Sequence, residues 1–383
     1  MQSDSNKLQV FMPCSGLGRV RRGFESFTEE LHNAIQCEKR ISATIFKGSG
    51  YKNKYEIPIW NIPRTNRAGK ILGRIAAGRG GYFVEQLSFF LSLVPYLETR
   101  RPDVVLFSDG NLGNLLWRWR RFRGLRYKLL FSNGGPLSPP FPRWDFVHQI
   151  SSLHYQSAKL MGQTDDRQTY IPYGSNIASA LPVEDITTKS LLRHKLGLPK
   201  DRVIILSVAV INASHKRLDY VIRELASLPL PRPFLVMLGE SDVETPAILK
   251  LAHTLLGATG YIARTVKRKD VACYYTIADL FVLASIREGM GKVLVEALAG
   301  GLPCLAHDYP VAREVLGKFG YYGNFNMPGS LALLLQTILS QNHSGNERHA
   351  RHRYAYETYS WDQLHLKYSD LLCHCAKVTY KSF

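Results

Sequence analysis

Short runs of apolar and β-branched residues alternate along this chain with glycine-bearing or polar turns and with segments of helical periodicity. In the first half the predicted strands are Leu8–Met12, Asp103–Phe107, Lys128–Phe131 and Thr169–Ile171. In the second half they are Val203–Val210, Pro233–Leu238, Tyr261–Ala263, Leu280–Ala284 and Pro303–Ala306. This alternation predicts the α/β class, with doubly wound parallel sheets covered by helices on both faces.

A break in the alternation predicts two domains. Residues Ile177–Lys189 contain Pro182 and acidic residues but no strand pattern, and we interpret them as a linker. A chain of 383 residues is long enough for two domains at ~150 residues each. We therefore predict one Rossmann-like domain over 1–180, a second over 190–360, and a terminal segment over 361–383. Since open α/β sheets bind ligands at the carboxyl ends of their strands, we expect the two domains to face a central cleft.

The charge of the chain restricts its partners more than its fold. Lys and Arg number 49 against 31 Asp and Glu, a formal charge of +18, of which +12 falls on residues 1–180. Nucleic acid, an anionic membrane surface and an anionic substrate all fit such a balance. The polar start Met1–Lys7 does not resemble a signal peptide, and the apolar run Leu87–Leu97 is far below the ~20 residues that span a bilayer. We expect a cytoplasmic protein, in peripheral contact at most with the inner face of a membrane.

The most informative segment is the loop and helix after Leu280–Ala284. The loop contains Glu288, Gly289 and Gly291, and good helix formers follow from Lys292 onward. Glycines allow close backbone approach, and the unpaired N–H groups and dipole of a helix start favour an anion such as a diphosphate.

Two carboxylates in this segment are spaced eight residues apart. Glu288 lies in the loop and Glu296 in the predicted helix, and carboxylates accept paired hydrogen bonds from the vicinal hydroxyls of a sugar or ribose. An isolated glutamate is more often solvated at the surface. The glycine loop and helix start favour a nucleotide with sugar hydroxyls at both ends.

The Glu-x7-Glu pattern with Glu-Gly-x-Gly resembles the donor-site motif of retaining family 4 glycosyltransferases of the GT-B fold. The similarity extends over nearly the whole chain, through Arg22–Glu25, Ile171–Gly174, His215–Asp219, Ala278–Ser285, Gly301–Ala306, Arg313–Val315 and Tyr359–Trp361. The resemblance implies two Rossmann-like domains, with terminal helices that return to the first.

The resemblance also implies roles for individual residues in binding a UDP- or GDP-sugar. Glu296 would hold the ribose hydroxyls and Glu288 the donor sugar, while Lys216, assisted by Arg217, would neutralise the departing diphosphate. Backbone contacts would come from three groups of residues: Gly289, Met290, Gly291 and Lys292 at the sugar and diphosphate, Ile262 and Arg264 at the base, and Gly16 and Gly18 at the diphosphate and acceptor.

Two departures from the family pattern leave catalytic contacts open. Val210-Ile211 occupies the place where the family often has Gly-Arg. The family's sugar-contacting His is replaced by Ser132-Asn133, so Asn133 or Ser132 is a candidate for that contact, with His148 and His154 as possible substitutes from nearby sequence. The resemblance implies that catalysis depends on positioning and charge stabilisation, with the departing diphosphate taking the acceptor's proton. The resemblance implies no cofactor, and Asp165-Asp166 lacks the metal-binding Asp-x-Asp pattern, so we expect no metal.

Two further features each have two interpretations. Asp109 ends a predicted strand and is either an acceptor contact or the N-cap of a helix. The stretch Trp117–Lys128 interleaves six cations with four aromatic residues but segregates them poorly on a helix. It is either a domain helix whose arginines extend over its apolar side or a contact with a membrane or anionic acceptor.

The leading hypothesis is a retaining glycosyltransferase that transfers a hexosyl group to the hydroxyl of a carbohydrate or lipid-linked acceptor. We expect a role in glycan, glycolipid or cell-envelope polysaccharide biosynthesis. The alternatives are a catalytically silent or epimerase-like GT-B protein that binds sugar nucleotides and, prompted by the charge, a basic nucleic-acid-binding protein, for which the sequence offers no recognisable module.

Overall fold

The computed structural model of the chain describes residues 7–20, 23–64, 66, 71, 80–181, 186–341 and 345–378. Residues 1–6, on which the signal-peptide expectation rests, and Arg22 lie outside the described residues. The chain divides into two compact units, one formed by Met1–Asn176 with Trp361–Phe383 and the other by Ile177–Ser360.

The first unit is built on a parallel sheet. Its strands are β1 (Leu8–Cys14), β2 (Ile41–Lys47), β3 (Glu56–Pro58), β4 (Val104–Phe107), β5 (Lys128–Asn133), β6 (Phe146–Gln149) and β7 (Gln168–Tyr170). Their order is β3-β2-β1-β4-β5-β6-β7, and every adjacent pair is parallel. The helices are α1 (Gly23–Ile35), α2 (Gly80–Arg100), α3 (Gly110–Arg123), α4 (Ser152–Leu160) and the last helix of the chain, α13 (Trp361–Lys377).

The last helix is anchored in the first unit by aromatic packing and polar contacts. The ring of Phe27 on α1 lies 5.6 Å from that of Tyr368 and 3.9 Å from that of Tyr173. The hydroxyl of Tyr368 donates to the carbonyl of Pro172 over 2.9 Å, and the indole N–H of Trp361 donates to Glu30 over 3.2 Å. The chain therefore returns to its first unit at its end, as the resemblance implies.

The second unit repeats the α/β arrangement with a six-stranded parallel sheet. Its strands are β8 (Ile204–Val208), β9 (Phe234–Leu238), β10 (Tyr261–Arg264), β11 (Leu280–Leu283), β12 (Cys304–His307) and β13 (Gly320–Gly323), in the order β10-β9-β8-β11-β12-β13. The helices are α5 (Ile186–Lys195), α6 (Leu218–Ala226), α7 (Thr245–Leu256), α8 (Arg268–Ile277), α9 (Lys292–Ala299), α10 (Pro310–Leu316), α11 (Ser330–Leu339) and α12 (Gly345–Tyr359), with a short 3-10 turn at Gly317–Phe319. Central strands such as β9 and β11 are buried along their whole length, which explains their continuous apolar sequences.

The predicted strands are confirmed in both units, and the fold is the α/β arrangement expected from the alternation. The sequence reasoning missed β2, β3, β6 and β13. Strand β6 reads Phe-Val-His-Gln, and its two buried polar residues form hydrogen bonds with neighbouring side chains and with the carbonyl of Ile171, so its sequence resembles no apolar run. The predicted linker also ends within helix α5.

The described part of the chain has no candidate membrane span and no candidate cluster of metal ligands. Within it, no helix combines the length and apolar character needed to cross a bilayer. In the same residues, no three His, Cys, Asp or Glu side chains are grouped so that they could hold a metal ion.

Candidate functional site

The loop between β11 and α9 has the helix-start geometry that its glycines predict. Gly291 adopts a left-handed conformation (φ 71°, ψ 56°) and is the N-cap of α9. Only glycine reaches this region without a steric cost of about 1–2 kcal/mol. The carbonyl of Gly291 accepts the N–H of Leu294 over 2.7 Å, which closes the first turn of the helix at this residue. Met290, in the same loop, is 5% exposed, so its side chain packs inward.

Lys216 and Glu288 form an ion pair although they are 72 residues apart in the chain. Their side chains are 17% and 14% exposed, so the pair is largely shielded from solvent. Lys216 follows β8 and Glu288 follows β11, which are neighbouring strands. The sheet thus brings together two residues that the sequence assigned to separate motifs.

The loop after β8, which carries Lys216, is held in place by side chains of that loop and of the loop after β9. Asn212 accepts the backbone N–H of Lys216 over 2.9 Å and donates to Asp242 over 2.8 Å. Glu244 accepts the backbone N–H groups of Ala213 and Ser214 at 2.8 and 2.9 Å. A hydrogen bond from the Ser214 side chain, and after it these two backbone bonds, lower the pKa of Glu244, so its carboxylate stays ionised and keeps the loop in place.

Arg217 is directed to a different part of the unit. Its backbone is left-handed (φ 54°), and its guanidinium donates to the carbonyl of Phe325 over 2.7 Å and lies 4.7 Å from the ring centre of Tyr220. These contacts hold the segment after β13 against α6. They lend no support to the prediction that Arg217 assists at the diphosphate, which stays a prediction.

The carboxylate of Glu296, on α9, is fixed by hydrogen bonds. Both guanidinium nitrogens at the end of Arg268 donate to it, one of them over 2.9 Å, and the hydroxyl of Tyr275 donates over 3.1 Å. The side chain of Glu296 is 13% exposed. The burial of Tyr275 raises the pKa of its phenol, and the negative charge of Glu296 raises that pKa further. Sequence reasoning missed both partners, because α8 carries them without any local pattern that would connect Arg268 and Tyr275 to a residue more than 20 positions later.

The residues predicted to frame a nucleotide base lie on the edge strand β10. Ile262 and Arg264 pair on one side with Val236 and Leu238 of β9. The guanidinium of Arg264 donates to the carbonyl of Leu196 over 2.7 Å, so this side chain fastens α5 to the sheet. Framing of a base by the backbone here stays a prediction.

Gly16 and Gly18 lie in the tightly packed loop after β1, and the approach of backbone requires glycine at Gly18. A Cβ atom at Gly16 would lie 2.3 Å from Oε1 of Glu25, and one at Gly18 would lie 2.2 Å from the carbonyl oxygen of Ser49. Gly18 also has a positive φ of 89°. The structure gives both glycines a packing role, and their contact with diphosphate or acceptor stays a prediction.

Asn133 and Asp109 both have structural hydrogen bonds in the first unit. The amide of Asn133, at the end of β5, donates to Gln149 over 2.7 Å and also to the carbonyl of Gly135. Asp109 accepts the N–H of Leu112 over 2.9 Å and is the N-cap of α3, which was the alternative interpretation of this residue. A catalytic or acceptor contact of either stays a prediction.

His148 does not replace the sugar-contacting histidine of the family pattern. It is fully buried in β6, where its ring nitrogens lie 2.7 Å from the carbonyl of Ile171 and 3.1 Å from the hydroxyl of Ser132. Burial lowers its pKa to about 4, so it is neutral in the core of the unit. The hypothesis that His148 acts on substrate is wrong, because both ring nitrogens already have partners in the interior. His154 lies on α4.

The basic stretch forms an ordinary domain helix and its following turn. Leu112, Leu116 and Arg120 of α3 are buried, and the guanidinium of Arg120 pairs with Asp145 and donates to the carbonyl of Tyr127 over 2.8 Å. Phe122 is 78% exposed. The other arginines of the stretch are exposed too, namely Arg118, Arg121, Arg123 and Arg126.

Comparison with curated proteins shows partial sequence similarity. The chain is 27% identical over 228 residues to the D-inositol 3-phosphate glycosyltransferase of Xylanimonas cellulosilytica, covering 57% of the chain and 54% of that protein. It is 30% identical over 222 residues to the alpha-monoglucosyldiacylglycerol synthase of Streptococcus pneumoniae, covering 53% and 49%. The chain thus spans about half the length of these curated relatives.

The fold as a whole is shared with solved structures. The Anabaena protein Alr3699/HepE, solved in complex with UDP-glucose, aligns with a TM-score of 0.72 over 96% of this chain and 99% of its own, at 14% identity. The likeness at this identity concerns the fold, which is GT-B. Residues 188–358 match the model of the family described as glycosyl transferases group 1. This match lies within the second unit, Ile177–Ser360, and marks that unit as similar to the glycosyl transferases group 1 family.

Proposed function

We propose that the protein is a glycosyltransferase that moves a hexosyl group from a nucleotide diphosphate sugar to an acceptor hydroxyl, with retention of configuration and without a metal or cofactor. The second unit binds the donor, a UDP- or GDP-sugar, and the first binds a carbohydrate or lipid-linked acceptor. The match of residues 188–358 to the glycosyl transferases group 1 model supports this assignment. The names of the relatives support it too, since one of them is a glycolipid synthase.

The observation that carries the proposal is the joint position of Lys216, Glu288 and the start of helix α9. Lys216 and Glu288 are in contact, and Glu288 lies in the same loop as the left-handed N-cap Gly291. An ammonium group beside the positive end of a helix dipole is a site for a diphosphate. The carboxylate beside it suits the hydroxyls of the sugar that the diphosphate carries.

In the proposed reaction the bond between the anomeric carbon and the diphosphate oxygen breaks, and its electron pair leaves with the diphosphate. The acceptor oxygen bonds to the anomeric carbon from the same face, and its proton passes to the departing diphosphate. Lys216 and the N–H groups after Gly291 stabilise the negative charge that develops on the leaving group. Positioning of donor and acceptor provides the remainder of the rate enhancement.

Glu296 supports the nucleotide half of the donor. Two donors, Arg268 and Tyr275, fix its carboxylate in the structure. A carboxylate held in this way accepts three hydrogen bonds and has about one acceptor site left, which it can present to a ribose hydroxyl at little cost in side-chain entropy.

We further propose that the protein works in the cytoplasm, in peripheral contact with an anionic membrane that carries the acceptor. The exposed arginines of Trp117–Lys128 and the exposed ring of Phe122 support this proposal. Each arginine near an anionic bilayer contributes about 1 kcal/mol, and an exposed aromatic ring favours the interface.

The experiment that tests the activity is a panel of nucleotide sugars, with thermal shift for binding and mass spectrometry for nucleotide release. We expect stabilisation by at least one UDP- or GDP-sugar, and its loss in Glu296→Ala and in Lys216→Met. Glu357→Ala, an exposed glutamate of the same unit, is the matched control and should bind as the wild type does.

The other outcomes point to the alternatives. Binding without nucleotide release, with an acceptor lipid or glycan present, would indicate a silent relative, and interconversion of sugar nucleotides would indicate an epimerase. An absence of binding by every nucleotide sugar, with salt-dependent binding of DNA or RNA, would overturn the proposal in favour of a nucleic-acid-binding protein.

A further inference from the structure

Tyr309 lies beside the loop that carries Glu288. It follows β12, which pairs with β11 in parallel, Leu283 opposite Ala306. The loops after both strands therefore leave the sheet next to each other at its carboxyl edge. Tyr309 itself has an extended backbone (φ −147°, ψ 157°) and precedes helix α10.

The hydroxyl of Tyr309 is buried and has no hydrogen-bond partner among the described residues. The backbone of Glu288 approaches the phenol oxygen outside hydrogen-bond geometry, so the phenol proton has no acceptor there. Ser285, which is 1% exposed and follows β11, also has a buried hydroxyl without a partner in the described structure. Burying a hydroxyl without a partner costs free energy, so this edge of the sheet carries unused hydrogen-bonding capacity.

The phenol of Tyr309 is a hydrogen-bond donor at any ordinary pH. Burial raises its pKa, and the nearby negative charge of Glu288 raises it further. The group therefore keeps its proton and can donate it to a carboxylate whose charge it senses nearby.

Glu288 and the diphosphate of the donor compete for the same cation, Lys216. In the structure its carboxylate is paired with Lys216, and it is only 14% exposed. In the proposed reaction Lys216 turns toward the diphosphate of the donor. A largely buried carboxylate that loses its cation is destabilised unless another donor takes its place.

We propose that Tyr309 is a positioning residue that donates a hydrogen bond to Glu288 when the bound donor draws Lys216 to its diphosphate. The hydroxyl then holds the carboxylate where it meets the hydroxyls of the transferred sugar. This inference rests on the proposed function, because it requires a bound nucleotide sugar. It explains why a hydroxyl is buried without a partner in the ligand-free protein.

The test compares Tyr309→Phe with the wild type for binding of UDP-glucose, GDP-mannose, UDP and GDP by calorimetry. Tyr309→Phe should weaken binding of the nucleotide sugar about tenfold, the low end of a hydrogen bond to a charged group, and change binding of the nucleotide alone less than about twofold. Its melting temperature should be unchanged or higher, because the substitution removes a buried unsatisfied hydroxyl. Tyr354→Phe, which removes a hydroxyl 3.5 Å from a backbone carbonyl of the same unit, is the control for loss of a phenol oxygen.

A second measurement separates action through Glu288 from a general structural effect. In a Glu288→Gln background the same change at Tyr309 should have a clearly smaller effect, since the charged acceptor is gone. Equal loss of nucleotide and nucleotide-sugar binding, or wild-type binding by Tyr309→Phe, would overturn the role of Tyr309 and leave the proposed function intact. Failure of the wild type to bind any of the four probes would overturn the proposed function itself.

Discussion

Replacement of Gly291 by alanine tests the central feature of the site. Gly291 starts helix α9 from a left-handed backbone, and its added methyl group would lie 3.2 Å from Cδ1 of Leu294. The leucine methyl is the far end of a flexible side chain and can yield, so the backbone conformation is the main cost. An alanine there either keeps the left-handed conformation at an energetic cost or moves the helix start.

The magnitude follows from the conformational penalty. An L-residue in the left-handed region costs about 1–2 kcal/mol. In a unit the size of Ile177–Ser360 this corresponds to a fall of about 2–8 °C in melting temperature. If the N–H groups of the helix start also move, the donor loses at least one hydrogen bond to a charged group, and its affinity falls about tenfold or more.

Gly329 provides a matched control in the same unit. It is also a left-handed N-cap (φ 82°, ψ −13°), it starts helix α11, and no atom lies within 4 Å of an added Cβ. Gly329→Ala should show a similar fall in melting temperature but bind nucleotide sugar as the wild type does. If both variants bind equally well, or both lose binding equally, the assignment of the α9 start as the diphosphate site is refuted.

Two further predictions concern the first unit. His148 has a pKa of about 4 in the folded protein and an ordinary value of 6.5. Below pH 6.5 the unfolded chain takes up a proton at this residue before the folded protein does. The free energy of unfolding therefore has its full value above pH 6.5 and decreases as the pH falls toward 4. Denaturation at a series of pH values should show that the free energy of unfolding falls by about 3 kcal/mol over that range. In a His148→Gln variant this part of the pH dependence should be missing. The same pH dependence in the variant and the wild type would contradict the prediction. A variant with Arg118, Arg121 and Phe122 changed to serine should bind phosphatidylglycerol vesicles about thirtyfold more weakly than the wild type in co-sedimentation, because about 1 kcal/mol is lost for each of the two arginines. Leu333→Ser, exposed to 66% in the second unit, is the control, and equal binding by all three proteins would refute the membrane surface.

The sequence predicted the elements whose patterns are local. Val282 and its neighbours form a continuous apolar run because both faces of β11 are buried, and this run predicts a central parallel strand. Strand β13 reads Gly-Tyr-Tyr-Gly and is half-buried at the edge of the sheet, so its sequence shows no such run. Edge strands and short strands with satisfied polar residues therefore escaped prediction.

The candidate site shows the same division. Gly291 was identified because a loop that turns sharply into a helix needs glycine, and that need is visible within a few residues. Arg268 was not identified, because its contact with Glu296 spans 28 residues and depends on how α8 packs beside α9. Tyr309 was not identified either, since a tyrosine after a strand is unremarkable until its hydroxyl is seen to lack a partner.

The sequence by itself determined the α/β class, the loop and helix start at Glu288–Gly291, and the two carboxylates eight residues apart. Only the tertiary structure decided that Lys216 meets Glu288, that Arg268 holds Glu296, and that His148 is a neutral core residue. The physical reason is that periodicity and glycine placement report the conformation of neighbouring residues. Charge pairing and desolvation depend instead on which strands lie side by side and on how deeply each side chain is buried.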